Sequence, residues 1–339
     1  MSTILVTGGA GYIGSHILPS LRRLGYRTLV FDSLTEGHRE AVGESELVIG
    51  NLGDYGALRA LIRANRPLAI LHFAAVCSVA ESVSEPLRYY DTNVAGTLNL
   101  VRAALEAGAP RIILSSTAAV YGEPKQVPID ESHPTVPINP YGWTKLAAER
   151  ILADFSHAYG LRYLAFRYFN AAGADPANGL GEDHRPETHL IPLALRSALD
   201  LGDPLQVYGD DYPTPDGTCI RDYIHVKDLV DAHVRGLQYL LDGGDNGVFN
   251  LGTESGHSIR QIIDAVETVT QSSVEYEMAP RRPGDPAVLV ASARKAREVL
   301  GWEPRHDLDA IVRTALNWMQ SHPNGYRDAE NETAAENWP

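Results

Sequence analysis

The chain has 339 residues, 44% of them hydrophobic, and is therefore long enough to bury one large core or two smaller ones. Its formal net charge of −14 disfavours nucleic acid and anionic membrane surfaces as partners, because the field of the protein repels phosphates. Two widely separated cysteines, Cys77 and Cys219, and the lack of a long apolar run argue against a disulfide framework and a membrane span, and favour a cytoplasmic protein.

Short aliphatic and β-branched runs alternate with helical patterns through residue 170. Strands are predicted at "TILVT", "RTLVF", "ELVIG", "LAILHF", "RIILSS" and "RYLAFRY". Helices are predicted near 12–24, 55–65, 86–107 and 140–159. This alternation is typical of an α/β fold with a Rossmann-like, doubly wound parallel sheet that carries helices on both faces.

Proline- and glycine-rich loops replace this rhythm after residue 170. Helical patterns recur near 188–201, 226–241, 258–270 and 306–320. Long loops of this kind usually build binding sites. We therefore predict a first domain over 1–170, a smaller α/β C-terminal substrate domain over 171–325, some of whose strands are left open to return to the first, and a polar tail over 326–339.

A glycine-rich turn follows the first strand in "ILVTGGAGYIG". Gly8, Gly11 and Gly14 have the spacing that lets a backbone approach a pyrophosphate at a helix N-terminus. Asp32 ends the second strand, where a carboxylate accepts hydrogen bonds from a ribose diol and repels a 2′-phosphate. The pattern predicts a dinucleotide site that prefers NAD to NADP.

Tyr141 and Lys145 lie four positions apart in "YGWTK", on one face of a predicted helix. With 16 tyrosines in the chain, such a pair also arises by chance, so it gains meaning only beside a bound nicotinamide. There, the ammonium and the positive ring both stabilise the phenolate, which lets Tyr141 take a proton from an alcohol. Ser115, Ser116 and Thr117 follow a predicted buried strand and offer a hydroxyl to bridge substrate and phenol.

These motifs, together with "LSST", "VYG", "RYFNAAGADP", "IRDYIHVKDL" and "APRRPGD", resemble the UDP-glucose 4-epimerases of the extended short-chain dehydrogenase/reductase family. The resemblance covers nearly the whole chain. It implies an isomerase that interconverts UDP-galactose and UDP-glucose through a transient 4-keto sugar and tightly bound NAD, with Tyr141 as base assisted by Thr117 and Lys145. Related dehydratases carry acidic residues where this chain has Ala118 and Ala119, so elimination of water is disfavoured.

The resemblance also implies the binding residues. The cofactor contacts are Gly8, Gly11, Tyr12, Ile13, Gly14, Asp32, Ser33, Asn51, Leu52, Phe73, Ala74, Ala75, Asn93, Thr117, Tyr141, Lys145 and Phe169. The substrate contacts are Thr117, Tyr141, Tyr168, Asn170, His189, Leu190, Gln206, Tyr208, Arg221, Tyr223, Arg282, Asp285 and Leu289. Arg221 and Arg282 are expected to clamp the diphosphate. The spacing of the histidines predicts no metal site.

Three positions depart from the common pattern of the family. Cys77 stands where many members have a lysine near the cofactor phosphates, and His189 stands where an asparagine is frequent. Leu289 matches a position whose size limits the C2 substituent of the sugar, which leaves UDP-pentose or UDP-N-acetylhexosamine 4-epimerase as an alternative. A catalytically silent NAD-sensing regulator is a further alternative.

In the resembled family, helices such as those near 90–107 and 141–159 pair across a two-fold axis, so we expect a homodimer.

Overall fold

The computed structural model describes residues 1–109, 111–282 and 285–326. The strands in these ranges are β1 Thr3–Thr7, β2 Arg27–Asp32, β3 Glu46–Ile49, β4 Ala69–His72, β5 Arg111–Thr117, β6 Arg162–Tyr168, β7 Asn170–Ala172, β8 Leu205–Tyr208, β9 Ile220–His225, β10 Gly247–Leu251, β11 Gly256–Ser258, β12 Tyr276–Ala279 and β13 Val288–Leu289. The helices are α1 Tyr12–Arg23, α2 Tyr55–Asn65, α3 Val79–Ser84, α4 Pro86–Tyr89, α5 Gly96–Glu106, α6 Pro140–Tyr159, α7 Leu190–Ala198, α8 Val226–Leu241, α9 Ile259–Thr270, α10 Arg294–Leu300 and α11 Leu308–Ser321. The predicted tail lies outside these ranges except for Tyr326.

Within the described residues, seven strands form one parallel sheet in the order β10-β6-β5-β4-β1-β2-β3. The predicted fold class is therefore confirmed. The strand order reverses between β1 and β4, and ligands of such sheets bind outside the carboxyl ends of the strands at this switch point.

Two apolar layers cover the sheet. On one face, α1 packs Ile17 and Leu21 beside Leu237 of α8. On the other, α2 and α5 bury Ile62 and Leu100 with strand side chains. Because apolar residues of each helix recur every three or four positions, one side of the helix faces the sheet and the other faces solvent. None of the helices in the described ranges is both long and apolar enough to cross a membrane.

The later part of the chain contributes to both halves of the molecule. Strand β10 pairs with β6, and α8 packs against the large sheet, so residues 226–251 join the first core. The remaining strands form a small sheet around β9 and the β8–β12 pair, which α7, α9 and α11 cover. Strands β7 to β13 were not predicted, because polar residues or glycine interrupt their apolar residues or, in β13, only two residues are present.

The helix predicted over 86–107 is interrupted. It consists of α4, a π-helical turn over Tyr90–Ala95, and α5. The turn directs Asn93 into the molecule, where its amide bonds to both backbone groups of Val76 and to the Thr144 hydroxyl. A wider turn of this kind frequently accompanies a functional site, and here it fixes the loop after β4.

Candidate active site

The glycine-rich loop is shaped by close backbone contacts. Gly8 has φ +73°, and a Cβ added there would lie 2.3 Å from the Ala74 nitrogen. A Cβ on Gly14 would lie 2.1 Å from the Gly8 oxygen, whereas one on Gly11 would meet only that oxygen, at 3.5 Å. Gly8 and Gly14 are therefore required by close contacts with neighbouring backbone atoms. Gly11 has more space, and its missing side chain leaves the backbone at the start of α1 accessible to a ligand.

The N-terminus of α1 suits an anion. In the described part of the chain, no side chain caps this end and no acidic residue stands in the first turn. The side chains of two predicted contacts point elsewhere: Tyr12 donates its hydroxyl to the Gly173 oxygen at 2.6 Å, and Ile13 packs into the core. These residues therefore offer a ligand their backbone N–H groups, which a helix start leaves without intrahelical partners.

Asp32 lies at the tip of β2, beside this loop. One carboxylate oxygen accepts the Ala10 N–H and the other accepts the Leu34 N–H, both at 2.9 Å. Burial raises the pKa of Asp32, against the effect of these backbone hydrogen bonds. Each oxygen keeps a further lone pair, so a fixed acceptor for a ribose hydroxyl remains next to the exposed Ser33.

The other predicted cofactor positions surround the switch point. Phe73, Ala74 and Ala75 follow β4 directly, whereas Asn51 and Leu52 follow β3. The Asn51 side chain accepts the Gly53 N–H at 2.7 Å, and Leu52 is buried in the core. The Asn93 amide is likewise hydrogen-bonded to Val76 and Thr144. The side chains of Asn51, Leu52 and Asn93 therefore shape the walls of the pocket and do not point into it as ligand contacts.

Thr117, Tyr141 and Lys145 come together at the carboxyl end of β5. The Asn139 side chain caps α6 by accepting the Gly142 N–H at 2.8 Å, which sets where the helix begins. Lys145 then lies one turn along, buried, with its Nζ 6.0 Å from the centre of the Tyr141 ring. The Thr117 side chain lies near the Tyr141 hydroxyl and acts to lower its pKa.

The electrostatics of this group differ from the expectation. Burial raises the pKa of Tyr141, the neighbouring Cys77 thiol raises it further, and the Thr117 side chain lowers it only in part. Burial also lowers the pKa of Lys145 to about 8, and its ammonium donates to the Ser115 oxygen at 2.8 Å. The residues of this chain therefore do not make Tyr141 acidic by themselves. The predicted stabilisation of the phenolate refers to the enzyme with nicotinamide bound, whereas in the chain alone the desolvation of the phenol dominates.

A buried ion pair connects α6, the helix that carries Tyr141 and Lys145, to strand β6. Glu149 follows Lys145 by one turn and binds Arg167 of β6 through two hydrogen bonds, of 2.9 and 2.6 Å. The Ser116 hydroxyl donates to the same carboxylate at 2.5 Å. Arg167 continues the network to the Tyr121 hydroxyl at 2.9 Å. Sequence analysis missed Glu149 and Arg167, although Glu149 has the same four-residue spacing from Lys145 that Lys145 has from Tyr141.

Strand β9 brings together five of the thirteen predicted substrate residues. Its register pairs Tyr223 with Asn170 of β7 and Arg221 with Leu289 of β13. Arg221 is buried and forms an ion pair with Asp285. The pairing sets residues far apart in sequence beside one another, and Arg221 is held in place before any ligand binds.

A second part of the substrate side lies on β8. The Arg282 guanidinium lies 3.8 Å from the centre of the Tyr208 ring, a cation–π contact. Gln206 is exposed on the same strand and donates to Glu277 at 2.9 Å. Arg221 lies on β9 and Arg282 in the segment after β12. Asp285 connects them, because it pairs with Arg221 and its N–H donates to the Arg282 oxygen at 3.3 Å.

The remaining predicted substrate residues lie on separate elements. Tyr168 is buried at the end of β6, with its hydroxyl 3.3 Å from the His233 ring nitrogen. Leu289 packs with Phe169 against the cluster that includes Ala118. His189 is the N-cap of α7, and Leu190 is the first residue of that helix.

Cys77 faces the cleft. Its side chain is reached by solvent, yet desolvation by the surrounding protein raises the pKa of the thiol. The thiol therefore stays protonated at neutral pH and offers no positive charge where a lysine is frequent.

Comparisons with known proteins agree with this geometry. The chain matches the NAD dependent epimerase/dehydratase family over residues 4–252. It is 48% identical over 328 residues to the UDP-glucose 4-epimerase of Lacticaseibacillus casei, which covers 96% of this chain and 99% of that protein. Its fold is similar to that of UDP-glucose 4-epimerase from Brucella ovis in complex with NAD, with a TM-score of 0.91 and 49% identity over 93% of this chain and 98% of the other. It is also similar to the UDP-Glc/GlcNAc 4-epimerase from Campylobacter jejuni, with a TM-score of 0.83 and 40% identity over 95% and 100% of the two chains.

Proposed function

Because this chain belongs to the NAD dependent epimerase/dehydratase family, we propose that it is a UDP-glucose 4-epimerase, an isomerase of galactose metabolism that interconverts UDP-galactose and UDP-glucose. The observation that carries the proposal is the proximity of Thr117, Tyr141 and Lys145 at the carboxyl end of β5, in the same parallel sheet as β1, which leads into the glycine-rich loop. Alanines at 118 and 119 support epimerisation over elimination, since a methyl group transfers no proton. The cytoplasmic location stays a prediction.

NAD fits the residues present. The open backbone at Gly11 and the uncapped start of α1 suit the pyrophosphate, and the fixed Asp32 carboxylate suits an adenosine ribose. When bound, NAD would supply the hydride acceptor and donor for C4 of the sugar and, while oxidised, a positive charge near Tyr141. Tight binding is expected, because the same molecule serves every cycle.

The side chains of the chain supply the proton chemistry. Tyr141 accepts the proton of the C4 hydroxyl and returns it later, and Thr117 holds the sugar oxygen and the phenol in line. Burial keeps the pKa of Tyr141 raised, so the phenol ionises only when a positive charge lies beside it. Tyr141 therefore acts as a base only in the enzyme that has NAD⁺ bound. Lys145, anchored on the Ser115 oxygen, keeps an ammonium on the same side.

Arg221 and Arg282 hold the diphosphate in this scheme. Each guanidinium already has a partner, Asp285 for Arg221 and the Tyr208 ring for Arg282, so its side chain loses little freedom when phosphate binds.

The direct test is turnover of UDP-galactose by purified protein without added NAD. We expect UDP-glucose, detected by nuclear magnetic resonance, and deuterium placed at C4 of the substrate is expected to stay at C4 of the product. Deuterium lost to water would contradict the proposed return of hydride. A protein that yields bound NAD when it is denatured but does not convert UDP-galactose would favour the NAD-sensing alternative.

A UDP-N-acetylhexosamine or UDP-pentose 4-epimerase is the second candidate. Leu289 beside Phe169 and Ala118 leaves more room than a large aromatic side chain would, and the similar Campylobacter jejuni protein is described as a UDP-Glc/GlcNAc 4-epimerase. Values of kcat/KM for UDP-galactose, UDP-N-acetylgalactosamine and UDP-xylose, measured side by side, rank the two candidates.

Asp32→Ala is expected to weaken NAD binding roughly 10- to 100-fold and to abolish the preference over NADP. A hydrogen bond to a charged group contributes about 1.5–3 kcal/mol, and the repulsion of a 2′-phosphate disappears with the carboxylate. Calorimetric titration of both dinucleotides measures this. Asp54→Ala, which removes an exposed helix cap, is the control and keeps the preference. Equal affinities of the unaltered protein for NAD and NADP would refute the assignment.

A homodimer is also proposed. Leu87, Tyr90, Leu98 and Trp143 are exposed on α4, the π-helical turn, α5 and α6, the helices for which pairing was expected. Sedimentation velocity at micromolar concentration is expected to give a dimer, and Leu98→Glu a monomer, because a carboxylate would be buried in the interface. Leu24→Glu, at the exposed end of α1, keeps the dimer. A monomeric unaltered protein would contradict the proposal.

A further inference from the structure

Four potential metal ligands converge in the loop before α7. Nδ1 of His189 lies 3.0 Å from Oε1 of Glu182 and 2.8 Å from Oε1 of Glu187. Nδ1 of His184 lies 3.3 Å from Oε1 of Glu182 and 3.8 Å from Oε2 of Glu187. One donor atom from each residue lies within 4.8 Å of all the others.

The separations are close to those of a tetrahedral site. Zinc bonds to nitrogen and carboxylate oxygen of about 2.0–2.2 Å place neighbouring ligand atoms roughly 3.3–3.6 Å apart. One of the four distances, 3.3 Å, lies in this range, the distance of 3.8 Å is longer, and those of 2.8 and 3.0 Å are the shorter contacts of His189 with the two carboxylates. Ligation therefore requires His189 to move away from both carboxylates by a fraction of an ångström. Two imidazole nitrogens with two carboxylates form a donor set that suits Zn²⁺ better than Mg²⁺ or Ca²⁺, which prefer oxygen ligands alone.

The orientation of His184 favours a cation over an ordinary ion-pair cluster. Its Nδ1 is buried and makes no hydrogen bond within the described residues, although two carboxylates lie within 3.8 Å. Nδ1 therefore lies near both carboxylates without meeting hydrogen-bond geometry to either, which leaves this nitrogen available as a metal ligand.

The two carboxylates also lack another source of positive charge. Their side chains are only 7% and 9% exposed, and within the described ranges their ion-pair partners are His184 and His189 alone. Buried carboxylates are stable when they are paired or coordinate a metal. A divalent ion neutralises both and lets the imidazoles bind as neutral ligands.

The cluster joins two parts of the candidate active site. The His184 ring lies edge-on to the ring of Tyr12, the first residue of α1, with centres 6.3 Å apart. His189 directly precedes α7, whose first residue is Leu190. An ion held here would fasten the loop over residues 182–189 against the start of α1.

We propose that Glu182, His184, Glu187 and His189 form a tetrahedral binding site for a divalent transition-metal ion, with Zn²⁺ as the best fit. All four coordination positions are filled by the protein, so the ion orders the loop and activates no water. The site does not depend on the proposed epimerase activity. The sequence spacing did not reveal it, because the ligands lie on an irregular loop and not on one helix face.

Calorimetric titration of untagged, full-length protein, stripped of metal with a chelator, tests the site with ZnCl₂. We expect one equivalent to bind and the melting temperature to rise, since a ligand of the folded state stabilises it. Cobalt(II) chloride, added to the same protein, is expected to give the intense visible absorption of four-coordinate cobalt. Absence of both heat and cobalt absorption would overturn the proposal, whatever the behaviour of the variants.

Variants locate the ion. His184→Ala and the isosteric Glu187→Gln are each expected to weaken Zn²⁺ binding at least about 100-fold, a loss larger than that from groups outside the coordination shell. His157→Ala, which removes an exposed histidine on α6, is expected to leave binding unchanged. Zinc binding that survives both cluster variants, with folding confirmed by circular dichroism, would overturn the assignment to these residues.

Discussion

Tyr141→Phe is expected to lower kcat about 10²- to 10⁴-fold, the range lost with a general base, while the affinity for NAD stays the same. The substitution removes one oxygen and keeps the ring, which packs edge-on against Tyr89 with centres 6.4 Å apart. The Thr117 hydroxyl keeps its bond with the Ala119 N–H, so the neighbouring turn has no reason to move.

Steady-state kinetics and NAD titration of the same preparation measure the two effects separately. Tyr159→Phe, at the exposed far end of the same helix, is the matched control and keeps both values. Turnover close to that of the unaltered protein would remove Tyr141 from the mechanism. A parallel fall in NAD affinity would show that the hydroxyl also helps to hold the cofactor.

Glu149→Gln is expected to lower the free energy of unfolding by about 3–5 kcal/mol, because it leaves the Arg167 guanidinium buried without its counter-charge. The side chains of the pair are only 6% and 7% exposed. Urea unfolding, followed by fluorescence and circular dichroism together, measures the change where the two signals coincide. Asp154→Ala breaks the exposed pair with Arg150 on the same helix, and less than about 1 kcal/mol is expected there.

Two further results separate this account from a general weakening of α6. The double variant Glu149→Leu, Arg167→Met is expected to recover much of the loss, because no unpaired charge remains buried. Burial lowers the Lys145 pKa and the charge of Glu149 raises it, so Glu149→Gln is expected to lower it further and to move the alkaline loss of turnover to lower pH. Equal destabilisation by Glu149→Gln and Asp154→Ala would contradict the role of the buried pair.

Local patterns were sufficient for a large part of the molecule. The bounds of α2 and α6 match the predicted 55–65 and 140–159, and the first six strands lie where aliphatic runs predicted them. The spacing alone placed Gly8 and Gly14 in a tight turn and Asp32 at the end of a strand, because these local features depend on few neighbouring residues. The four-residue spacing of Tyr141 and Lys145 likewise predicted that both lie on one face of α6, which begins after the cap at Asn139.

Tertiary structure decided what depends on distant partners. The return of β10 to β6, the pairing of Arg221 with Leu289 across β9 and β13, and the Glu149–Arg167 pair follow from contacts between separate segments. The same holds for the raised pKa of Tyr141, since desolvation arises only when the chain closes around the phenol. The amino-acid sequence determined which chemical groups stand at the turns and helix starts, and folding decided which of them share a buried, low-dielectric space, because burial is a property of the whole packed chain.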